Sequence, residues 1–421
     1  MQYCTRCVYP ANARPGIIFD DKGVCSGCRL IESRKSINWA KREKMLIDLL
    51  NREKEKQNKK GSPYHCIIPV SGGKDSTFQT WLIKKKYGLN PLLVSYNHTF
   101  NTPLGLRNLV NLIEKLNCNL IRYTTAPESA IKIAKYMLEK VGDITWHYHA
   151  GIMTFPIQAS IAYDIPLIIW GEEGFSELVG MHNQDDFVEF TKKKRQEHSM
   201  RGFEPEDLLN ESDCSLTKYD LAPFFYPKDK DIERVGTRGI YLSNYISWNG
   251  KKQTEFIIKD LGFETAQKRE RTFNLYDKLD DIHANGLHDY LKYLKFGYGR
   301  CTDDVATEIR HKRMTREEGI NLINKYDHIK PKDLNIFLKK AKMSENEFFK
   351  IINPLRDKVA WKEDKSGNWK KTDNINKHKN DKFVNQVRLK VKNIKSLFVK
   401  TKEKKSKHNQ KDSNQSDYVI L

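Results

Sequence analysis

Cys66-Ile67-Ile68-Pro69-Val70-Ser71-Gly72-Gly73-Lys74-Asp75-Ser76 is an apolar run that breaks into a Ser/Gly turn and opens directly on the helical pattern Thr77 to Tyr87. A short apolar run of this kind reads as a buried strand. Adjacent glycines let successive backbone N–H groups converge on an anion, and a helix N-terminus behind them adds its positive dipole. Ser71, Lys74 and Ser76 supply hydroxyl donors and a cation, so strand, turn and helix together predict a phosphate-binding loop, with Gly72 and Gly73 permitting close approach. The spacing GxxxxGK[ST] occurs nowhere in the chain, which excludes the Walker A form of such a loop. Asp75 stands where the loop can offer a carboxylate to a Mg²⁺ ion; the competing role is a helix N-terminal acid.

Outward from the loop, apolar strands are predicted at Pro91 to Tyr96, Asn119 to Tyr123 and Pro166 to Trp170, with helices at Leu104 to Leu116 and Ser129 to Val141 between them. Strands alternating with helices at this spacing predict an α/β fold with a doubly wound parallel sheet. Ligands of such sheets lie beyond the carboxyl ends of the strands. Tyr96-Asn97-His98 and Gly171-Glu172-Glu173-Gly174 fall at those ends. Glu172 is the candidate metal ligand or base, against the alternative of surface carboxylates in a turn. Trp146, His147, Tyr148 and His149 precede an apolar helix and offer rings for stacking, although single histidines are more often satisfied core or surface residues. Beyond about Asp220 the pattern turns helical, with capping boxes at Thr315-x-x-Glu318 and Ser344-x-x-Glu347. In that region Arg300 is suited to a bidentate grip on a phosphate or carboxylate, with Asp303 and Asp304 beside it; a structural salt bridge is the alternative.

Cys4-x2-Cys7 and Cys25-x2-Cys28 have the spacing of a four-thiolate zinc site, in which two turns close a tetrahedron around a soft-ligand ion. Two disulfides are the competing arrangement, disfavoured in a reducing compartment. Four thiolates leave no open position for water, so the zinc is expected to be structural. Cys66, Cys118, Cys214 and Cys301 are isolated, and burial is the expectation for the first two. The 421 residues divide by composition into a four-cysteine zinc module at 1–32, a linker helix at 33–62, an α/β domain carrying the phosphate-binding loop at 63–220, a helical domain at 221–365 and a basic, disordered tail at 366–421, with a weak amphipathic stretch from Phe383 to Phe398. Of the net charge of +20, about +9 lies from Lys371 onward and about +6 in Arg29 to Lys60, so a basic nucleic-acid groove through the core is not implied. No apolar run reaches the roughly 18 residues needed to span a bilayer, and the first residues lack a signal peptide's apolar stretch; a soluble cytoplasmic protein is expected.

The loop Ser71 to Ser76 resembles the PP-loop of the N-type ATP pyrophosphatases, with their adenine nucleotide alpha hydrolase-like fold. That resemblance implies cleavage of ATP between the α and β phosphates, through an adenylated acceptor. A closer resemblance covers most of residues 1 to 360. Tyr3-Cys4-Thr5-Arg6-Cys7-Val8-Tyr9-Pro10, Phe19-Asp20-Asp21-Lys22-Gly23-Val24-Cys25-Ser26-Gly27-Cys28, the loop, Gly171-Glu172-Glu173-Gly174 and Lys295-Phe296-Gly297-Tyr298-Gly299-Arg300-Cys301-Thr302-Asp303-Asp304 are together similar to the bacterial N-acetyl sugar amidotransferases of O-antigen lipopolysaccharide and flagellar-glycan synthesis. The resemblance implies conversion of an acetamido to an acetamidino group on a free or nucleotide-linked sugar, using ATP, Mg²⁺ and ammonia. It also implies a separate glutaminase and a cyclase-like ammonia-conducting companion. On this reading Lys74, Asp75, Glu172, Arg300 and Asp304 are catalytic, while Ser71, Gly72, Gly73, Lys74, Asp75, Ser76, Asn97 and Gly171 hold the nucleotide. A PP-loop tRNA-thiolating enzyme is the rival; it calls for a reactive cysteine near the loop.

Overall fold

The computed structural model describes residues 1–281, 286–379 and 419–420. Strands β1 (Cys66–Pro69), β2 (Pro91–Asn97), β4 (Leu120–Thr124), β5 (Leu167–Trp170) and β6 (Arg238–Tyr241) form one sheet in the order β4-β2-β1-β5-β6, while the short β3 (Phe100–Asn101) lies outside it. All four pairings in the sheet are parallel. The chain therefore runs outward from β1 in one direction and then, from β5, in the other. The crevice between the ends of β1 and β5 is the point where the strand order reverses, which is where such sheets receive ligands.

Both faces of the sheet are covered, and the strand residues divide between them with a period of two. Cys66, Ile68, Leu93 and Ile169 enter an apolar cluster with Leu46, Leu49, Leu50 and Leu112. Ile67, Leu92, Val94 and Ile168 face the other way, against Ile157 and Ala159 of the Trp146–Tyr163 helix. Burial on both sides explains why these strands read as continuous apolar runs rather than as alternating ones. The helix Trp39–Lys59, expected to be a linker, lays its apolar stripe on this core. The fifth strand, Arg238-Gly239-Ile240-Tyr241, lies where the sequence predicts helical structure; four residues are too few to display a period.

The amino-terminal cysteine segment packs on the helices Arg300–Arg310 and Arg316–Tyr326, with Val8, Val24, Val305, Ile309 and Ile320 in a shared cluster. A further cluster joins the Pro127–Val141 helix to the helices His288–Phe296, Asp333–Ala341 and Glu345–Ile352. Folded structure continues past 366, where the charge pattern predicts the start of a disordered tail. Strands β7 (Trp361–Glu363) and β8 (Trp369–Lys371) form an antiparallel pair, and Ile375 is only 4% exposed. The final short strand, β9 (Val419–Ile420), pairs antiparallel with β3. The stretch Phe383 to Phe398 lies outside the described residues.

The loop at residues 71–76 is seated by close backbone packing. Gly72 has φ +85°, and a Cβ there would lie 2.8 Å from Leu109 N and 2.9 Å from Gly105 O of the Pro103–Leu116 helix. A side chain at this position meets both a left-handed backbone and an unyielding neighbour. Gly72→Ala is expected to cost about 2 kcal/mol or more of stability, read as a lower denaturant midpoint at unchanged slope.

Candidate functional site

The residues after β1 and β5 open into a cavity of about 300 Å³, lined by Ser71, Gly73, Lys74, Asp75, Ser76, Glu172, Arg300, Asp303 and Asp304 among others. These predicted residues, more than 200 positions apart in sequence, thus meet in one place. Four helix N-termini reach the same space, those of Lys74–Trp81, Gly174–Val179, Gly250–Leu261 and Arg300–Arg310. Their dipoles direct positive potential into it. The wall nevertheless carries eight carboxylates against five lysines and arginines. An anionic ligand such as a nucleoside triphosphate fits that wall only together with cations.

Lys74 is 8% exposed, and its Nζ stands 2.5 Å from Asp75 Oδ2 and 3.4 Å from Asp277 Oδ1. Burial opposes its charge, but Asp277, Asp75 and Glu172 outweigh burial and hold its pKa above the usual lysine value. The second oxygen of Asp75, Oδ1, is buried without a hydrogen-bond partner. An orphaned carboxylate oxygen beside Asp277 and Glu172 suits a hard, oxygen-seeking ion, so the donor set fits Mg²⁺. Gly250 leaves room for this cluster, since a Cβ there would come 3.4 Å from Lys74 Nζ.

Two carboxyl groups of the wall titrate close to neutrality. Burial, reinforced by Asp75, pushes Glu172 up to about 8, while Lys74 opposes the rise. Burial likewise pushes Asp304 up to about 7, with Arg300 opposing and Asp277 adding to the shift. Thr272 Oγ1 donates to Asp304 Oδ2. Asp277 moves the other way: Lys74, Lys278 and Arg300 overcome burial and hold it at about 2. Groups whose environments push their pKa values apart are suited to different proton-transfer roles.

Other predicted residues take supporting positions. Glu173 caps the Gly174–Val179 helix, accepting from Ser176 N at 2.6 Å and pairing with Lys194 at 2.7 Å. Arg300 spends its guanidinium fork on Asp289, at 2.8 and 2.7 Å, and turns Nη1 to Asp303 at 3.2 Å, so the structural salt bridge is the arrangement present. Gly171 backs the wall without lining it; a Cβ there would press on Gln79 and Trp248. Asn97 is 0% exposed and off the cavity, its Oδ1 accepting from Thr99 N, Asn101 Nδ2 and Arg122 Nη2. Trp146, His147 and Tyr148 are buried, and burial, then His98, lowers His147 to about 3. None of the four isolated cysteines lines the cavity.

The segment 274–280 supplies wall residues that sequence reasoning missed: Asn274, Tyr276, Asp277, Lys278 and Asp280. It has no helix or strand period, and its only signal is a density of charge. Arg269 fixes it by donating to Asn274 O at 3.2 Å and Asp277 O at 2.7 Å. Glu177 was also missed; it belongs to the wall and pairs with Arg34 at 2.6 Å and His311 at 3.4 Å.

The sulfurs of Cys4, Cys7, Cys25 and Cys28 lie within 4.8 Å of one another, all buried. Cys4 to Cys28 is 3.9 Å and Cys7 to Cys25 is 3.7 Å. A tetrahedral ion with Zn–S bonds of about 2.3 Å requires S···S edges of about 3.8 Å, so the four cysteines fit zinc. Arg310 carries this cluster to the cavity: Nη2 stands 3.6 Å from Cys25 Sγ, while Nη1 donates to Glu177 O at 2.9 Å and Leu178 O at 2.8 Å.

Residues 270–376 match the family described as LPS biosynthesis protein WbpG-like, C-terminal domain. The uncharacterized protein MJ1599 of Methanocaldococcus jannaschii is 32% identical over 133 residues, covering 31% of this chain and 46% of that protein. The chain thus spans less than half the length of that curated relative. Among solved structures, the NMN synthetase of Francisella tularensis aligns at TM-score 0.27 and 14% identity, over 52% of this chain and 93% of that one. The NH3-dependent NAD synthetase of Campylobacter jejuni aligns at TM-score 0.26 and 15% identity, over 48% and 92%. Among the described residues no helix is long and apolar enough to cross a membrane.

Metal analysis of the purified protein is expected to find about one zinc per chain. Cys25→Ser should release it and destabilise the fold by an amount on the order of 4 kcal/mol, because Arg310 and its contacts lose their support. Unchanged metal content in this variant would exclude the four-thiolate site.

Proposed function

We propose that the chain is an ATP-dependent amidotransferase that converts an acetamido group of a bacterial surface-glycan sugar to an acetamidino group, releases AMP and pyrophosphate, and takes ammonia from a separate glutaminase. The observation that carries this reading is the shared cavity. A phosphate-binding loop at the strand-order reversal opens onto Glu172 and Asp304, two carboxyl groups poised near neutrality. The match to the carboxy-terminal domain of an LPS biosynthesis protein supports a surface-glycan substrate.

An acetamide carbon is a weak electrophile, and turning its oxygen into a phosphate ester creates a leaving group. In the proposed reaction the acetamide oxygen bonds to the α-phosphorus as pyrophosphate departs. The ammonia nitrogen then bonds to the carbon, and the former carbonyl oxygen leaves with AMP. Charge gathers on the departing pyrophosphate, where Lys74 and the helix N-termini are fixed to receive it. Mg²⁺, when bound by Asp75 and Asp277, supplies further neutralisation of phosphate charge. The attacking nitrogen must shed a proton before AMP leaves. Asp304, at about 7, is substantially ionised at neutral pH and is the base for that proton. Glu172, at about 8, stays largely protonated there, so it donates to the ligand without repelling phosphate. The tRNA-thiolation reading needs a nucleophilic sulfur at the loop; burial pushes the thiols of Cys66, Cys118 and Cys301 up, and no observation favours it.

Mass spectrometry of protein mixed with ATP, Mg²⁺, ammonium and a panel of bacterial N-acetyl sugars is expected to show one sugar exchanging an oxygen for an NH group, with AMP and pyrophosphate in equal amounts. Lys74→Ala and Asp75→Ala should each lower AMP formation by about a thousandfold. Wild-type turnover in either would remove the loop from the mechanism. Because the base must be ionised, activity should rise as pH increases through about 7, and Asp304→Asn should abolish that limb of the profile.

A further inference from the structure

The cavity wall holds five lysines and arginines, and four of them stand within ion-pairing distance of a carboxylate. Lys74 lies 2.5 Å from Asp75, Lys251 3.9 Å from Glu255, Arg300 2.7 Å from Asp289 and Arg313 2.6 Å from Glu308. Lys278 has no such partner among the described residues. Its backbone is also exceptional, with φ +52°, in the left-handed region that residues bearing a Cβ seldom enter.

The surroundings impose that conformation from both sides. Arg269 holds the carbonyl of Asp277 at 2.7 Å. On the other side Thr102 Oγ1 donates to Leu279 O, and Thr102 N donates to Asp280 O at 3.1 Å. Strain that is held in place this way is characteristic of ligand-clamping positions. Burial lowers the Lys278 pKa and Arg300 lowers it further, while Asp277, Asp289 and Asp303 act against them. The ammonium feels those carboxylates at longer range but, among the described residues, has none at ion-pairing distance, which leaves its donors open to an anionic oxygen of a ligand.

We infer that Lys278 takes a phosphoryl oxygen of the bound substrate, so that the carboxy-terminal region contributes a phosphate ligand in addition to the loop after β1. The inference rests on the reading of this cavity as a site for phosphate esters. The phosphoryl group belongs either to ATP or to the diphosphate of a nucleotide-linked sugar, and the two sources are separable by binding.

Calorimetric titration of the full chain with Mg·ATP, and separately with UDP, tests the inference in wild type, Lys278→Met, Lys278→Gly and Lys278→Arg. Glycine accepts the left-handed backbone, so Lys278→Gly keeps the fold, with a melting temperature at or above that of wild type. The Met and Gly variants are expected to bind one of the two probes about ten- to a hundredfold more weakly, and Lys278→Arg to restore most of the affinity. Weakening confined to Mg·ATP assigns the phosphate to ATP; weakening confined to UDP assigns it to the sugar's carrier. If wild type binds Mg·ATP, Lys74→Met loses that affinity, and the Lys278 variants bind both probes as wild type does, the assignment of Lys278 is overturned while the nucleotide reading stands. Wild-type protein that binds neither probe overturns both.

Discussion

Arg310 is the contact on which the architecture of the site depends. Its guanidinium faces the cysteine sulfurs on one side, donates to the carbonyls of Glu177 and Leu178 on another, and lies 5.3 Å from the centre of the Tyr9 ring. Four thiolates around a divalent ion leave two negative charges, and a buried cation is what offsets them. The same side chain fixes the helix that begins beside Glu172. The amino-terminal cysteine segment thereby reaches the cavity wall through Arg310 and also through Tyr9, whose hydroxyl donates to Asp303 Oδ1 at 2.6 Å. Gly27 makes the approach possible, since a Cβ there would meet Arg310 at 2.5 Å.

The electrostatics of the cavity follow from opposed contributions. Acidic side chains outnumber basic ones on its wall, yet four helices point their positive ends into it. Burial, together with the mutual repulsion of the acids, raises the pKa values of Glu172 and Asp304. Asp277 escapes this because Lys74, Lys278 and Arg300 together outweigh its burial. Glu172 and Glu173 show how neighbouring carboxyl groups can be pushed in opposite directions by what surrounds them. The first faces the acids of the wall, while the second is satisfied by backbone N–H groups and Lys194 and keeps a lowered pKa.

The segment 274–280 gives the cavity its second character. It belongs to the stretch that matches the WbpG-like domain, and it brings Asp277 against Lys74 of the sheet loop. The loop after β1 and the carboxy-terminal region are thus joined by an ion pair at the cavity itself. Such a junction lets the charge on a ligand be felt by both parts at once.

What could be read in the sequence was whatever depends on neighbours along the chain. Ser71 to Ser76 between an apolar run and a helix, the paired CxxC turns, and the alternation of strands and helices are local patterns, and they led to the α/β sheet, the strand–turn–helix at its centre and the four-sulfur cluster. The meeting of Glu172 and Asp304 in one cavity, the ion pair of the wall residue Arg300 with Asp289 and the absence of Asn97 from the wall depend on contacts between positions apart in the chain, which no spacing encodes. Asp277 and Lys278 sit in a stretch without helix or strand, so no period marked them; only the folding of that stretch against Arg269 and Thr102 brought them to the wall. The sequence by itself determined which chemical groups the protein owns and the elements that carry them. The tertiary structure decided which carboxyl groups keep their protons, because that depends on burial and on charges brought close only when the chain closes on itself.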